Sequence, residues 1–170
     1  MFNLPPFTLA HVLISLVGIG SGFVVLLGLI NSKRLDGWTG LFLATTAATS
    51  LTGFFLPAAH FMPSHAVGIL SLIVLGIAIP ARYVLHLAGA WRRTYVITAV
   101  IALYLNFFVL IVQSFQKVEA LRTLAPTQTE PPFLVAQVAA LALFVLLGTL
   151  AAIKFRAEPL LMAKSARAGS

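Results

Sequence analysis

The sequence predicts an all-α, polytopic membrane protein, five transmembrane helices in one bundle. Three observations carry that reading. Apolar stretches run from Phe7 to Ile30, Trp38 to Leu56, Ala66 to Leu87, Tyr95 to Phe115 and Phe133 to Ile153, separated by short polar joints. Each matches the ~20 residues that a spanning helix needs at a rise of about 1.5 Å per residue. Hydrophobic residues make up 60% of the chain and charged ones 9%, too little polar surface to coat a soluble globule. An unclosed sheet would leave backbone N–H and C=O groups unpaired in lipid, so the spans must be helices.

The first stretch is expected to stay as a helix rather than act as a secretory signal, since Met1 to Ala10 carries no Lys or Arg and the apolar run outlasts a signal core. Leu35 to Gly37 reads as a tight turn before the second helix, with Trp38 as an interfacial anchor. Pro57 ends that helix, and Ser64 is placed to cap the third. Pro80 is expected to kink the third helix and free the carbonyl of Gly76. Trp91 and Tyr95 flank the next joint. After the fourth helix, Val118, Leu121 and Leu124 fall at helical spacing, so that helix should continue along the interface until Pro126. Glu130, Pro131 and Pro132 lead into the fifth helix, where proline is tolerated in the first turn. Residues 1–156 therefore form one bundle, and residues 157–170 a tail that is either an interfacial helix around Leu160 to Met162 or unstructured.

Orientation follows from the basic residues. Lys33, Arg34, Arg92, Arg93, Lys154, Arg156, Lys164 and Arg167 fall on one side, only Lys117 and Arg122 on the other, and Arg82 within a span. The positive-inside rule then puts the N-terminus outside and the C-terminus in the cytoplasm. The net charge of +7 is mainly this signal, with headgroup contact as a second effect. Scattered basic pairs without an aromatic platform give no nucleic-acid reading. Cysteine is absent, which excludes disulfides and thiol chemistry.

Polar residues inside lipid are costly unless paired, so they are where function would show. Counted from the span midpoints, His11, Gln113 and Gln137 all lie about 10 to 12 Å to the outer side. With His60, His65 and Glu130 in the joints above them, they form a candidate outer polar pocket. A candidate inner site comprises Arg82, His86, Asn106 and Thr45. Arg82 and His86 are four apart on the third helix and so share a face. No Asp or Glu lies at the level of Arg82, so it either snorkels to the headgroups or turns inward to carbonyls, hydroxyls or an anion. Asn106, an amide at the midplane, suits a bond across helices, and the hydroxyls of the second helix can bond back to their own carbonyls.

Catalytic signatures are missing. There is no H-E-x-x-H, no paired carboxylates and no Ser beside a His with an acidic orienter. GIGSGF at Gly18 to Phe23 lacks the strand that a nucleotide loop follows. Four His raise b-type haem, which needs two imidazoles at one depth; His11 with His65 meets that condition, and a quinone near Gln113 and Gln137 would fit the same electron-transfer reading. Small residues at four-residue spacing (Gly18 and Gly22; Gly40, Ala44, Ala48 and Thr52; Ala140, Gly148 and Ala152) let helix backbones approach closely. They point first to a non-catalytic component that assembles with copies of itself or with other membrane subunits. A small-solute channel or transporter using Asn106 and Arg82 is the third reading.

The strings TGFFLP, PSHAVGILSL, ARYVLHLAGAWR and ALYLNFFVL, between Leu51 and Gln113, and LAPTQTEPPF at Leu124 to Phe133 resemble a group of small integral membrane proteins of bacteria to which no activity is attached. The resemblance covers most of the chain and implies a bacterial inner membrane. The chain departs from the cytochrome b561 pattern, which places His pairs at two levels.

Overall fold

The computed structural model describes residues 5–56 and 63–156. Among them every regular element is helical: α1 (Pro6–Ile30), α2 (Asp36–Gly53), α3 (Pro63–Tyr83), α4 (Trp91–Lys117), a short α5 (Glu119–Leu124) and α6 (Pro131–Lys154). Four of them, α1, α3, α4 and α6, are long and apolar enough to cross a membrane, as expected of a multi-pass membrane protein. The fifth long helix, α2, has 18 residues and dilutes its apolar positions with Asp36 and six hydroxyl side chains.

Helices α1 to α4 form a ring in chain order, α1 against α2, α2 against α3, α3 against α4, and α4 closing onto α1. Helix α6 lies outside the ring across α1 and α4. The half nearer Trp91 is tightly closed. A Cβ at Gly22 would sit 2.5 Å from Leu103 and 2.9 Å from the Phe42 ring, so α1, α2 and α4 meet there backbone to side chain. Phe23, Phe107 and Phe144 extend this core outward with centroids 5.5 to 5.8 Å apart, within the range where aromatic pairs attract.

Glycine faces are consumed inside the chain. Gly18 lets α1 approach α2 and α4, where a Cβ would stand 3.2 Å from both Thr45 Oγ1 and Asn106 Nδ2, and Gly148 of α6 admits Val100 at 3.0 Å. The GIGSGF string is continuous helix, and Ser21 donates to the Val17 carbonyl at 2.7 Å.

Several boundaries differ from expectation. Asp36 is not in a turn; it opens α2, where a carboxylate favours the positive end of the helix dipole. Helix α3 starts at Pro63, which puts Ser64 in the first turn instead of before it, and it runs through Pro80 to stop at Tyr83. The chain then takes positive φ at His86 and Leu87, 50° and 60°, which a helix cannot continue. Helix α4 starts a turn earlier than expected, at Trp91, and breaks at Val118, whose extended ψ of 115° separates it from α5. Pro131 and Pro132 occupy the first turn of α6 as expected. Pro57 and the tail 157–170 lie outside the described residues.

The closed end is clasped across the sequence. Ser32, at φ 55°, donates its hydroxyl to the carbonyl of Lys154, and Arg92 donates to the carbonyl of Phe155. The start of α4 and the ends of α1 and α6 are thereby tied into one surface, which with the joint between α1 and α2 carries Lys33, Arg34, Arg92, Arg93, Lys154 and Arg156.

Candidate functional site

Opposite the clasp, the ring splays around a cavity of about 440 Å³. Each of the four helices contributes one face: Thr8, His11, Val12, Ser15 and Leu16 from α1, Thr49, Ser50, Gly53 and Phe54 from α2, His65, Val67, Gly68 and Ser71 from α3, and the Leu105 to Lys117 face of α4. From Asn106 on its floor to Val118 at the helix ends, the cavity is about 18 Å deep, taking 1.5 Å per residue. Its walls are mainly apolar with a few convergent polar groups, the usual form of a small-molecule site.

The polar groups fall into two levels fixed by helix geometry. Gly18 of α1 lies against Thr45 of α2 and Asn106 of α4. Seven residues are two turns, and stepping outward by seven on each helix gives His11, Thr52 and Gln113, about 10 Å above. The coincidence expected of His11 and Gln113 is thus present, and both line the cavity. His11 Nδ1 is 2.8 Å from Thr52 Oγ1, and His65 stacks on Phe54 with the ring planes 19° apart.

At the floor, Asn106 is 7% exposed and its Nδ2 has no partner. The hydroxyl oxygens of Thr46 and Thr49 are likewise buried without partners. Asn106 and Thr49 line the cavity and Thr46 does not; such atoms are unusual, because a buried polar group left unsatisfied costs about 1 to 3 kcal/mol. Thr45 is satisfied within its own helix, donating to the Leu41 carbonyl at 2.7 Å, as are Ser50, Thr52 and Ser114.

Other expected members lie elsewhere. Gln137 does not reach the cavity: α6 is outside the ring, and Gln137 is buried with its Nε2 3.5 Å from the Phe108 carbonyl. Glu130 caps its own loop, accepting from the Thr127 hydroxyl at 2.8 Å and from the amides of Thr127 and Thr129 at 3.1 Å. His60 falls outside the described residues. The inner group is also rearranged. His86 does not share a helix face with Arg82, since α3 has ended; it is exposed, with Nδ1 2.8 Å from the Val84 carbonyl.

Arg82 neither snorkels nor lacks a carboxylate. It is 2% exposed, lies over the Tyr95 ring at 5.2 Å and donates to Asp36. Two shifts of boundary explain the difference: α3 stops one residue after Arg82, and α2 starts at Asp36, so both groups come to the same end of the bundle. Arg34 lies 3.8 Å from the same carboxylate oxygen. This cluster belongs to the closed end and does not touch the cavity.

The Glu130 loop carries a testable pH dependence. Desolvation works to raise its carboxyl, but the hydrogen bonds from Thr127 and Thr129 outweigh it and hold the group below the ordinary carboxylate range. Because the folded value is the lower one, the hold is complete above the ordinary range and is lost as pH falls through the folded value. Protection of the Thr127 and Thr129 amides, taken against the intrinsic exchange rate at each pH, should therefore fall on acidification below that range, and Glu130→Gln should lower it at neutral pH.

Among the described residues no three His, Cys, Asp or Glu side chains come together as a metal site would require. Gln113 and His11 were legible from depth alone. Ser50, Phe54, Ser71 and Ser114 were not, because which face of a helix turns inward depends on its neighbours. Comparison with known proteins gives no match to a family model, a curated protein or a solved structure.

Proposed function

We propose that the chain binds a lipophilic small molecule in the splayed half of its bundle, holding the polar end of that molecule between the two polar levels. The observation that carries this reading is an apolar cavity whose lining includes Asn106 and Thr49, each with a buried polar atom that has no partner. An apolar body satisfies the walls, and an oxygen-bearing group satisfies the floor. Assembly with other copies or subunits has less behind it, because the Gly18, Gly22 and Gly148 contacts are made within the chain. The reading extends to the setting: a bacterial inner membrane crossed by all five long helices, N-terminus outside. It is supported by the six basic residues gathered at the clasped end, which the positive-inside rule assigns to the cytoplasm, and it makes the cavity open outward.

Two measurements test it. The purified protein should carry a co-purifying lipophile detectable by extraction and mass spectrometry, and Val109→Trp, which fills the cavity, should empty it; a protein that retains and rebinds nothing removes the reading. Since the chain has no Cys, single cysteines report topology: Ala120→Cys should react with an impermeant maleimide on intact cells, and Ala88→Cys only after permeabilisation. The reverse pattern would turn the cavity toward the cytoplasm. The presence of His11 and His65 at one cavity favours b-type haem as the second occupant. A Soret band lost in both His11→Ala and His65→Ala would establish it.

A further inference from the structure

We infer that the molecule taken by this cavity is a lipophilic ring bearing free hydroxyl groups, a hydroquinone-type diol, bound in preference to the corresponding quinone. The inference rests on the lipophile-binding reading above and concerns which chemical class and which oxidation state fit.

It begins with one proton. Thr52 Oγ1 lies 2.7 Å from the carbonyl oxygen of Ala48 and 2.8 Å from His11 Nδ1. A hydroxyl has a single proton, and a carbonyl has none to give. Two oxygens at 2.7 Å require a proton between them, so the Thr52 hydroxyl donates to Ala48. The second contact must then be supplied by the imidazole, and His11 donates from Nδ1 to Thr52. This fixes the tautomer: Nε2 of the neutral ring carries a lone pair. Among the described residues no donor reaches Nε2, and His11 stands half-buried on the cavity wall.

A bare acceptor on an apolar wall selects for a donor. A quinone carbonyl would meet Nε2 lone pair to lone pair, whereas a ring hydroxyl donates to it. The floor supplies the second anchor. Asn106, about 10 Å below His11 by the two-turn step, holds an unpartnered amide. A six-membered ring with oxygens on opposite carbons, plus a hydrogen bond at each end, spans about 11 Å. The backbone levels that carry the two side chains are separated by about that length, leaving the tail of such a ring among Val12, Leu16, Val109 and Leu110.

Binding of a short-tailed benzoquinone and of its hydroquinone, kept reduced under argon, to the detergent-purified protein tests this. The hydroquinone should bind at least about tenfold more tightly, the worth of one buried hydrogen bond made rather than left open. His11→Phe should abolish the preference. Thr52→Val, which leaves His11 in place but removes its Nδ1 acceptor, frees the ring to present Nε2–H, and the preference should shrink or reverse without loss of thermal stability. A purely structural His11 would leave the ratio unmoved. Equal or tighter binding of the quinone by the native protein overturns the inference, as does a preference that survives His11→Phe. If neither ring compound binds while another lipophile occupies the cavity, the inference falls and the cavity reading stands; if nothing binds, both fall.

Discussion

Asp36→Asn should lower the unfolding free energy in mixed micelles by about 3 kcal/mol, while Arg82→Met should cost well under half of that. The asymmetry comes from burial. Arg82 is 2% exposed, and the Asp36 side chain is 70% exposed. Removing the carboxylate strands a guanidinium among Tyr95, Tyr83 and Ala81, and breaking a buried pair from the charged side that remains inside costs about 3 to 5 kcal/mol; the exposure of Asp36 puts the expectation at the lower end. It also leaves Arg34 facing Arg82 with nothing between them. Replacing Arg82 with an apolar side chain of similar length removes the buried charge itself and returns Asp36 to water. Equal losses from the two variants would show that the Arg82 charge is solvated by some other route.

Gly22→Ala should be the most damaging single-methyl change in α1. A Cβ there meets Leu103 at 2.5 Å and the Phe42 ring at 2.9 Å, and an overpacked crossing typically costs about 1 to 3 kcal/mol. The Leu103 methyl can rotate away, but the Phe42 ring, 1% exposed, cannot move without disturbing α2. Gly20→Ala, two residues away and with nothing within 4 Å, is the matched control and should be neutral or better in helix propensity. Thermal unfolding of both variants in the same detergent checks the pair. A neutral Gly22→Ala would mean that the closed half has more room than its packing implies.

How much of this was legible in the sequence varies with the kind of information each feature needs. Length and hydropathy are local, and α1, α3, α4 and α6 were read from them within a few residues. Depth along a helix is nearly local too, since it needs only a midpoint and a rise per residue; His11 and Gln113 were accordingly brought to one level, although Gln137, at the same depth, sits on a helix outside the ring. Facing is not local. Whether Asn106 looks toward the cavity or toward Arg82 depends on the rotation of α4 against three neighbours; the sequence grouped it with Arg82, and the structure places it in the cavity lining. The Arg82 pairing failed for a sharper reason: a helix end misplaced by four residues in α3 and two in α2 moved two charges several ångströms, enough to hide a contact. His86 was lost by the same error, because the turn past Tyr83 uses left-handed residues that carry no Gly signal at His86 or Leu87.

The difference between the two halves of the ring has a consequence for traffic. Below the floor at Asn106, the crossing of Gly22, Phe42 and Leu103 and then Tyr95, all but fully enclosed, acts as a stopper, so among the described residues the cavity is closed at its foot and opens toward the far ends of α1 to α4. A guest arrives and departs by the same door, and its residence time is set at the rim by the ends of α1 to α4. A narrowing of that rim which leaves the bound and free states untouched should slow entry and exit by the same factor and leave the equilibrium occupancy unchanged.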